Sequence, residues 1–540
     1  MRANSLVFAI PIILGIGLSL GPPPLLAESA AGREEPAPPD PTWQRLGLPE
    51  SPTPESGRGV GIVLIDDGDL HPALRPLGER LKHVTVAQDM SVSLAEPLEA
   101  YKDRQDAEYS HGVRALLQMA SVPFRVRDRT YGGLAPGATY FVIPYFVTRS
   151  GEGTERRYRY DPRLDRALDW VVENRERWNI RVILLSIAFY CPPPPPDDDP
   201  RVVGAIKNTK DYPLVRALER AVKAGILVIT GNGNTSHENN LPPVEYLSVG
   251  AYHDSGHADP RFHRENPDEP WGRNSDGHER PDVLAPRYFV ANHRTPEGEL
   301  AHFGGTSSAS AQVSALSALL FARFPQADAQ TIKYALIRSG DPLPGSRRPG
   351  VRVNAGRAIQ LLTDGSVRPP WPRIPPPVTV TDPNSSLQSK DAVERALAVS
   401  ALAWHPDLFR PKDGERLRQV LWRLLRDDSP MVRKAAVSAL AGPESDDERR
   451  RLWDTLHRES DMGVRGKLAL VLLVGAMADP LDDWIPLATD PNWTARWCAV
   501  EVLRDHYPAA PRLDYAVFPE EIEEKARPVL DWYRTRKQSR

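Results

Sequence analysis

The sequence predicts a parallel α/β sheet covered by helices on both faces, followed by an all-α repeat module. Three observations carry this reading. First, short apolar runs recur: Val60–Ile65, Tyr140–Phe146, Val182–Ile187, Ile226–Thr230 and Tyr246–Ala251. Runs that are apolar at nearly every position, not at alternate ones, belong to strands buried on both faces. Second, helical patterns lie between the runs, and strands alternating with helices make a parallel sheet. Third, beyond a proline-rich break near Ser366 the chain reads as helical throughout and repeats itself.

Each element has its own signature. Leu6–Leu20 is an uncharged apolar run after Arg2, and small residues follow at Ala27, Ser29, Ala30 and Ala31. This is the layout of a secretory signal peptide over residues 1–30, with an uncleaved signal anchor as the alternative. The run contains Pro11 and is short for a membrane span. Residues 31–56 are polar and proline-rich and read as an extended arm. The α/β domain is expected over 57–365. Within it Leu164, Leu168 and Val171 share one helix face, as do Leu214, Leu218, Ala221 and Val222. Gly225 stands where a C-cap glycine belongs. Residues 366–386 read as a semi-rigid proline-rich linker.

Residues 387–540 form the helical module. AVSALA occurs at Ala398–Ala403 and again at Ala436–Ala441. Val432-Arg433, Val464-Arg465 and Ala495-Arg496 each follow an acidic turn: Asp427-Asp428, Asp461 and Asp490. These spacings resemble HEAT-like repeats, whose hairpins stack into a solenoid. No catalytic cluster is visible there, and such a surface suits a protein partner.

Composition narrows the function classes. Hydrophobic residues make up 41% and charged residues 26% of the 540, an ordinary globular balance. A net charge of −3 provides no basic field for nucleic acid. Two cysteines, Cys191 and Cys498, exclude a disulfide framework.

Four segments carry chemistry. Asp66-Asp67-Gly68 ends the first strand, and Ser110-His111-Gly112 opens a helix. Gly231-Asn232-Gly233-Asn234 follows a strand, and Gly305-Thr306-Ser307 opens a long helix. A serine hydroxyl is a poor nucleophile without an adjacent base. A histidine neutral near pH 7 is such a base, and a buried carboxylate can hold its tautomer.

Aspartate, histidine and serine in this order resemble the subtilisin family of serine peptidases. Gly133–Ala138 and Pro281–Pro286 fit the same pattern, which runs from about Trp43 to Thr363. The resemblance implies a subtilisin-like sheet and an Asp66-His111-Ser307 triad. It also implies an oxyanion hole from the Ser307 N–H and an asparagine. Counting from Gly225, the family's spacing falls on Asn234, with Asn232 as the alternative. It implies an endopeptidase acting on proteins or peptides, which the signal peptide sends to an extracellular or periplasmic location. No cofactor is required. Structural calcium is common in the family, but its ligands find no match here. Membrane contact is expected only if the signal is uncleaved.

The chain departs from the family at several places. Val113 replaces a threonine, Ala311 a proline and Arg287 a glycine. Ser186-Ile187-Ala188-Phe189 replaces a Ser-Leu-Gly-Gly pattern, so substrate preference does not carry over. Asp67 and the Asp197-Asp198-Asp199 run read either as a kexin-like preference for basic substrates or as a turn residue and a solvated loop. An inactive subtilisin-fold scaffold working with the repeats is the second reading of the whole chain. About thirty residues separate the signal from the first strand, too few for a folded inhibitory prodomain.

Cleavage of the signal between about Ala27 and Ala31 is expected. N-terminal sequencing of exported protein checks it. An intact Met1 on membrane-held protein would overturn it.

Overall fold

The computed structural model describes residues 39–539, apart from 67–70, 96–109, 145–147, 151–156, 160–162, 187–212, 235–244, 267–268, 270, 274–277, 288–289, 295–299, 347, 373–379, 381, 405–413, 441, 474–480, 508 and 514–520. The signal segment, Asp67, Ala188, Phe189, Cys191 and Asp197-Asp198-Asp199 lie outside the described residues. Among those that are described, no helix is long and apolar enough to cross a membrane.

The centre is a ten-stranded sheet. Its strands are β1 (Gly61–Asp66), β2 (Leu81–Val86), β3 (Val92–Ala95), β4 (Thr139–Pro144), β5 (Ile180–Leu185), β6 (Leu227–Gly231), β7 (Leu247–Tyr252), β8 (Val283–Pro286), β9 (Asp341–Pro342) and β10 (Val351–Arg352). Their spatial order is β9-β10-β8-β7-β6-β5-β1-β4-β2-β3. Pairing is parallel except at the two edges, where β2–β3 and β9–β10 run antiparallel. From β1 the chain first fills the side of β4 and β2, then crosses to β5 and beyond. β1 therefore sits where the strand order reverses, and ligands of such sheets gather at that point, outside the carboxyl ends of the strands. Asp66 is the last residue of β1.

The apolar runs serve two cores at once. Ile62, Leu64, Tyr140, Val142, Val182, Leu184 and Ile229 face one side. Val63, Ile65, Phe141, Ile143, Ile183, Leu185 and Val228 face the other. The first side is covered by α2 (His111–Ala120), α5 (Gly305–Arg323), α6 (Ala329–Ser339) and α7 (Ala355–Thr363). The second is covered by α3 (Arg163–Glu173) and α4 (Pro213–Lys223). Gly225 has φ +81°, the left-handed backbone its cap position requires.

The segment read as an extended arm is docked from Pro39 onward. Thr42 and Arg45 of its short helix α1 (Thr42–Arg45) are buried, and the following Leu46 joins the core of the sheet. Trp43 Nε1 donates to the Thr130 carbonyl at 3.0 Å, and Asp40 pairs with Arg129 at 2.9 Å. Arg45 forms two 2.7 Å bonds to Asp254, both side chains being essentially inaccessible. Proline content obscured this, because the anchoring comes from a handful of long-range contacts. The linker is likewise partly docked. Val367 joins the core of the sheet, Trp371 stacks on Tyr334 at 5.0 Å, and Val380 belongs to the helical core.

The helical module comprises α8 (Pro383–Ser386), α9 (Ala392–Trp404), α10 (Gly414–Leu424), α11 (Pro430–Leu440), α12 (Asp446–Arg458), α13 (Met462–Leu473), α14 (Leu481–Trp484), α15 (Trp493–His506) and α16 (Ile522–Gln538). Helices α9, α11, α13 and α15 pack in succession as one layer. The repeated arginines explain the sequence pattern. Arg395, Arg433, Arg465 and Arg496 each send Nη1 to carbonyls in the segment just before their own helix. The first three also reach onward to Asp427, Glu459 and Asp490, an acid in the following repeat. This ladder ties successive hairpins into one stack.

Breaking a buried ion pair by removing one partner strands the other charge, at about 3–5 kcal/mol. Arg45→Met is therefore expected to lower the unfolding free energy by that amount. Urea titration checks it, and adding Asp254→Leu should recover most of the loss.

Candidate active site

The carboxyl edge of the sheet gathers all four chemical segments. Asp66 closes β1 and is 2% exposed. Both of its oxygens lie within hydrogen-bond distance of His111 Nδ1, at 3.0 and 2.8 Å. His111 is the first residue of α2, which Ser110 caps through its side chain. The imidazole and the Phe303 ring meet in a T-shaped contact, centroids 5.4 Å apart, so carboxylate and aromatic ring together limit the imidazole's rotation.

Ser307 lies in the first turn of α5, which packs against α2. It is 8% exposed, and its hydroxyl donates to the Ser186 carbonyl at 3.5 Å. Ser186 directly follows β5, the neighbour of β1. α5 is buried nearly all round, and its run of Ser, Ala and Thr allows the sheet and α2 to approach closely. Its N-terminus directs backbone N–H groups and a favourable dipole toward the site.

The two asparagines have separate places. Asn232 is 2% exposed, and its Oδ1 accepts from Ser248 Oγ at 2.9 Å, on β7. Asn234 instead meets the turn that carries Ser307. Its Oδ1 accepts from the Thr306 N–H at 2.6 Å and from Thr306 Oγ1 at 3.2 Å. Thr306 Oγ1 also accepts from the Gly233 N–H at 3.2 Å. A backbone N–H can only donate, so it fixes which end of the Asn234 amide is the carbonyl.

Two glycines make this contact possible. Gly305 has φ +78°, and a Cβ there would stand 2.6 Å from Asn234 Oδ1. A Cβ on Gly231 would press on Thr306 Oγ1 at 3.0 Å. The sequence singled out Asp66, His111, Asn234 and Ser307 and passed over Thr306, which clasps Asn234, and Phe303, which packs on His111. The Gly-Thr pair before the serine was the available signal for the first. No signal marked the second. Among the described residues no group of three or more His, Cys, Asp or Glu side chains could hold a metal ion, and no calcium site is assigned.

Comparison with known proteins places this geometry in a family. The model of the subtilase family matches residues 81–358. The chain belongs to the subtilase family. Its members are serine peptidases of the subtilisin type. A HEAT repeat model matches residues 417–442, inside the helical module of this subtilase. Among solved structures, fervidolysin from Fervidobacterium pennivorans, a keratinolytic enzyme related to subtilisin, is 18% identical with a TM-score of 0.39. The match covers 57% of this chain and 43% of that one. The prenylagaramide maturation protease PagA is 20% identical over 56% of this chain and 93% of its own, with a TM-score of 0.36. A mutant of the protease domain of PatA is 21% identical over 57% and 96%, with a TM-score of 0.38. The search of curated proteins finds no match.

A side chain at Gly305 would both force an L-residue into left-handed backbone, at about 1–2 kcal/mol, and displace the Asn234 amide. Gly305→Ala should therefore lower the thermal midpoint and suppress any reaction at Ser307. Calorimetry and peptide hydrolysis on the same preparation check this.

Proposed function

We propose that the chain is an exported serine endopeptidase that cuts peptide bonds through an acyl-enzyme on Ser307. Two observations carry this reading: Asp66 on His111 Nδ1, at the start of a helix that packs against α5, and Asn234 on the turn of α5 that presents Ser307. With Nδ1–H donated to Asp66, the other ring nitrogen, Nε2, is the basic one.

Substrate binding turns the Ser307 hydroxyl from the Ser186 carbonyl toward the imidazole. Nucleophile–base bonds are commonly long before substrate arrives and tighten in the complex. His111 then takes the hydroxyl proton as Oγ attacks the scissile carbonyl. The tetrahedral oxyanion is met by the Ser307 N–H and by the Asn234 Nδ2, whose carbonyl end is committed to Thr306. His111 returns the proton to the leaving amine. Water, activated by the same base, releases the acid product. The buried Asp66 offsets the charge that His111 acquires in each half-reaction.

Protein or peptide chains are the proposed substrates. The helical module is proposed to hold a protein partner or target, since its stacked hairpins offer an extended surface.

A fluorophosphonate probe is expected to label Ser307. Ser307→Ala should abolish labelling and His111→Ala should nearly do so. Asn234→Ala should keep the nucleophile but slow turnover by about 10²–10³-fold, the size of effect measured in subtilisin. Folded wild-type protein that resists the probe and leaves unfolded protein uncut would instead support the scaffold reading.

A further inference from the structure

The N-terminal segment grips both hairpins that border the histidine helix. His111 is the first residue of α2. One hairpin, Phe124–Val126 with Arg129–Tyr131, follows α2 directly. The chain leaving it is tied to the end of that helix. The Gly133 N–H donates to the Ser121 carbonyl at 2.8 Å, and the Ala135 N–H to the Met119 carbonyl at 3.0 Å. The other hairpin, Val290–Arg294 with Leu300–Phe303, lies against α2 with both strands. Val290 stands opposite Phe303, whose ring meets the His111 imidazole. Arg129–Tyr131 and Val290–Arg294 are themselves neighbours, so the two hairpins meet beside α2.

Residues 39–45 close over that junction. On the first hairpin they take three consecutive residues. Asp40 pairs with Arg129, Trp43 Nε1 donates to the Thr130 carbonyl, and the Tyr131 hydroxyl donates to the Pro39 carbonyl. On the second, α1 lies against Val290–Arg294. The segment is also moored beyond the junction. The Asp40 N–H donates to the Gly256 carbonyl at 2.7 Å, the Asp40 carboxylate accepts from the Ala258 N–H at 2.8 Å, and Arg45 holds Asp254. The Leu46 and Gly47 carbonyls accept from the Ala355 and Gly356 N–H groups at 2.7 and 2.9 Å. A segment held this way acts as a strap across the two hairpins.

We propose that Asp40 and Trp43 are positioning residues for the catalytic base: by clasping the two hairpins they fix α2, and so where His111 stands relative to Ser307. The proposal rests on the reading of His111 as the base, given above. The leverage is geometric. α2 has 10 residues and is therefore about 15 Å long, so a tilt of about 4° around its far end carries His111 by about 1 Å. A misplacement of that size can cost about 10²-fold in turnover even when its cause is remote from the chemistry. Loosening the second hairpin would also draw Phe303 away from the imidazole, because Val290 and Phe303 are paired. Asp40 and Trp43 are themselves only half-buried, so their polar contacts serve the clasp more than the core.

The test compares the full chain with Asp40→Asn, Trp43→Phe, the double variant and Lys333→Met. Phenylalanine keeps an aromatic ring in place and loses the N–H that Thr130 accepts. Lys333→Met breaks the buried pair with Glu245, which stands ahead of β7 at the amino edge of the sheet, and controls for lost stability alone. The readouts are kcat and KM on a short peptide, the thermal midpoint, and hydrogen exchange of the α2 amides. The double variant is expected to lose about tenfold in kcat with KM within about twofold, while Lys333→Met keeps its kcat. Exchange in α2 and in Leu300–Phe303 should quicken about tenfold, with β5 and β6 at the wild-type rate. Wild-type kcat and α2 exchange in the double variant would overturn the proposal. So would an equal fall in kcat for Lys333→Met at a matched thermal midpoint, because stability then explains the loss. If wild type cleaves nothing, the reading of His111 as the base fails on its own, and the α2 exchange still decides the clasp. Should the double variant not fold, the two single variants make the same comparison.

Discussion

The first turn of α5 has to meet two demands at once. It must present Ser307 at the carboxyl edge of the sheet, and it must let the Asn234 amide lie across its backbone. Both are met by putting Gly305 in left-handed backbone with no side chain and using Thr306 to grip the amide through N–H and Oγ1. The rest of the domain serves this turn. α5 can reach the edge because its body is small-residued and buried against the sheet and α2. The β6–β7 pairing stops at Gly231, where the turn to Asn234 begins.

Buried charge is the second theme. Arg45–Asp254, Lys333–Glu245 and Arg280–Asp282 are all largely removed from water. Such pairs contribute little net stability over apolar packing, but each is costly to separate. They connect stretches far apart in sequence, or hold a turn in a single arrangement. Arg45–Asp254 joins the N-terminal segment to the region after β7. The helical module uses the same chemistry periodically, in its arginine ladder.

The sequence by itself determined much of this protein. Apolar runs reported strands buried on both faces, because only a doubly covered parallel sheet hides every side chain of a strand. The Ile65-Asp66, Ser110-His111 and Gly305-Thr306-Ser307 segments marked strand ends and helix starts, because those local conformations demand particular residues. The spacing of Val432-Arg433, Val464-Arg465 and Ala495-Arg496 revealed the repeat, since equivalent turns need equivalent bonds. The family resemblance then placed Asn234 ahead of Asn232 by counting alone.

What only the tertiary structure decided depends on residues distant in sequence. Pro39–Leu48 read as an arm because proline content is local, whereas its docking rests on Arg129, Thr130, Asp254 and the catalytic core. The linker's anchoring through Trp371 and Val380 was hidden for the same reason. The separate tasks of Asn232 and Asn234 emerged from Ser248 on one side and Thr306 on the other. Arg287 read as an isolated departure until its carbonyl was found on the Gly305 N–H, just ahead of Ser307. A single chain carries the local preferences of each residue, but a buried charge acquires its meaning from the partner that folding brings to it.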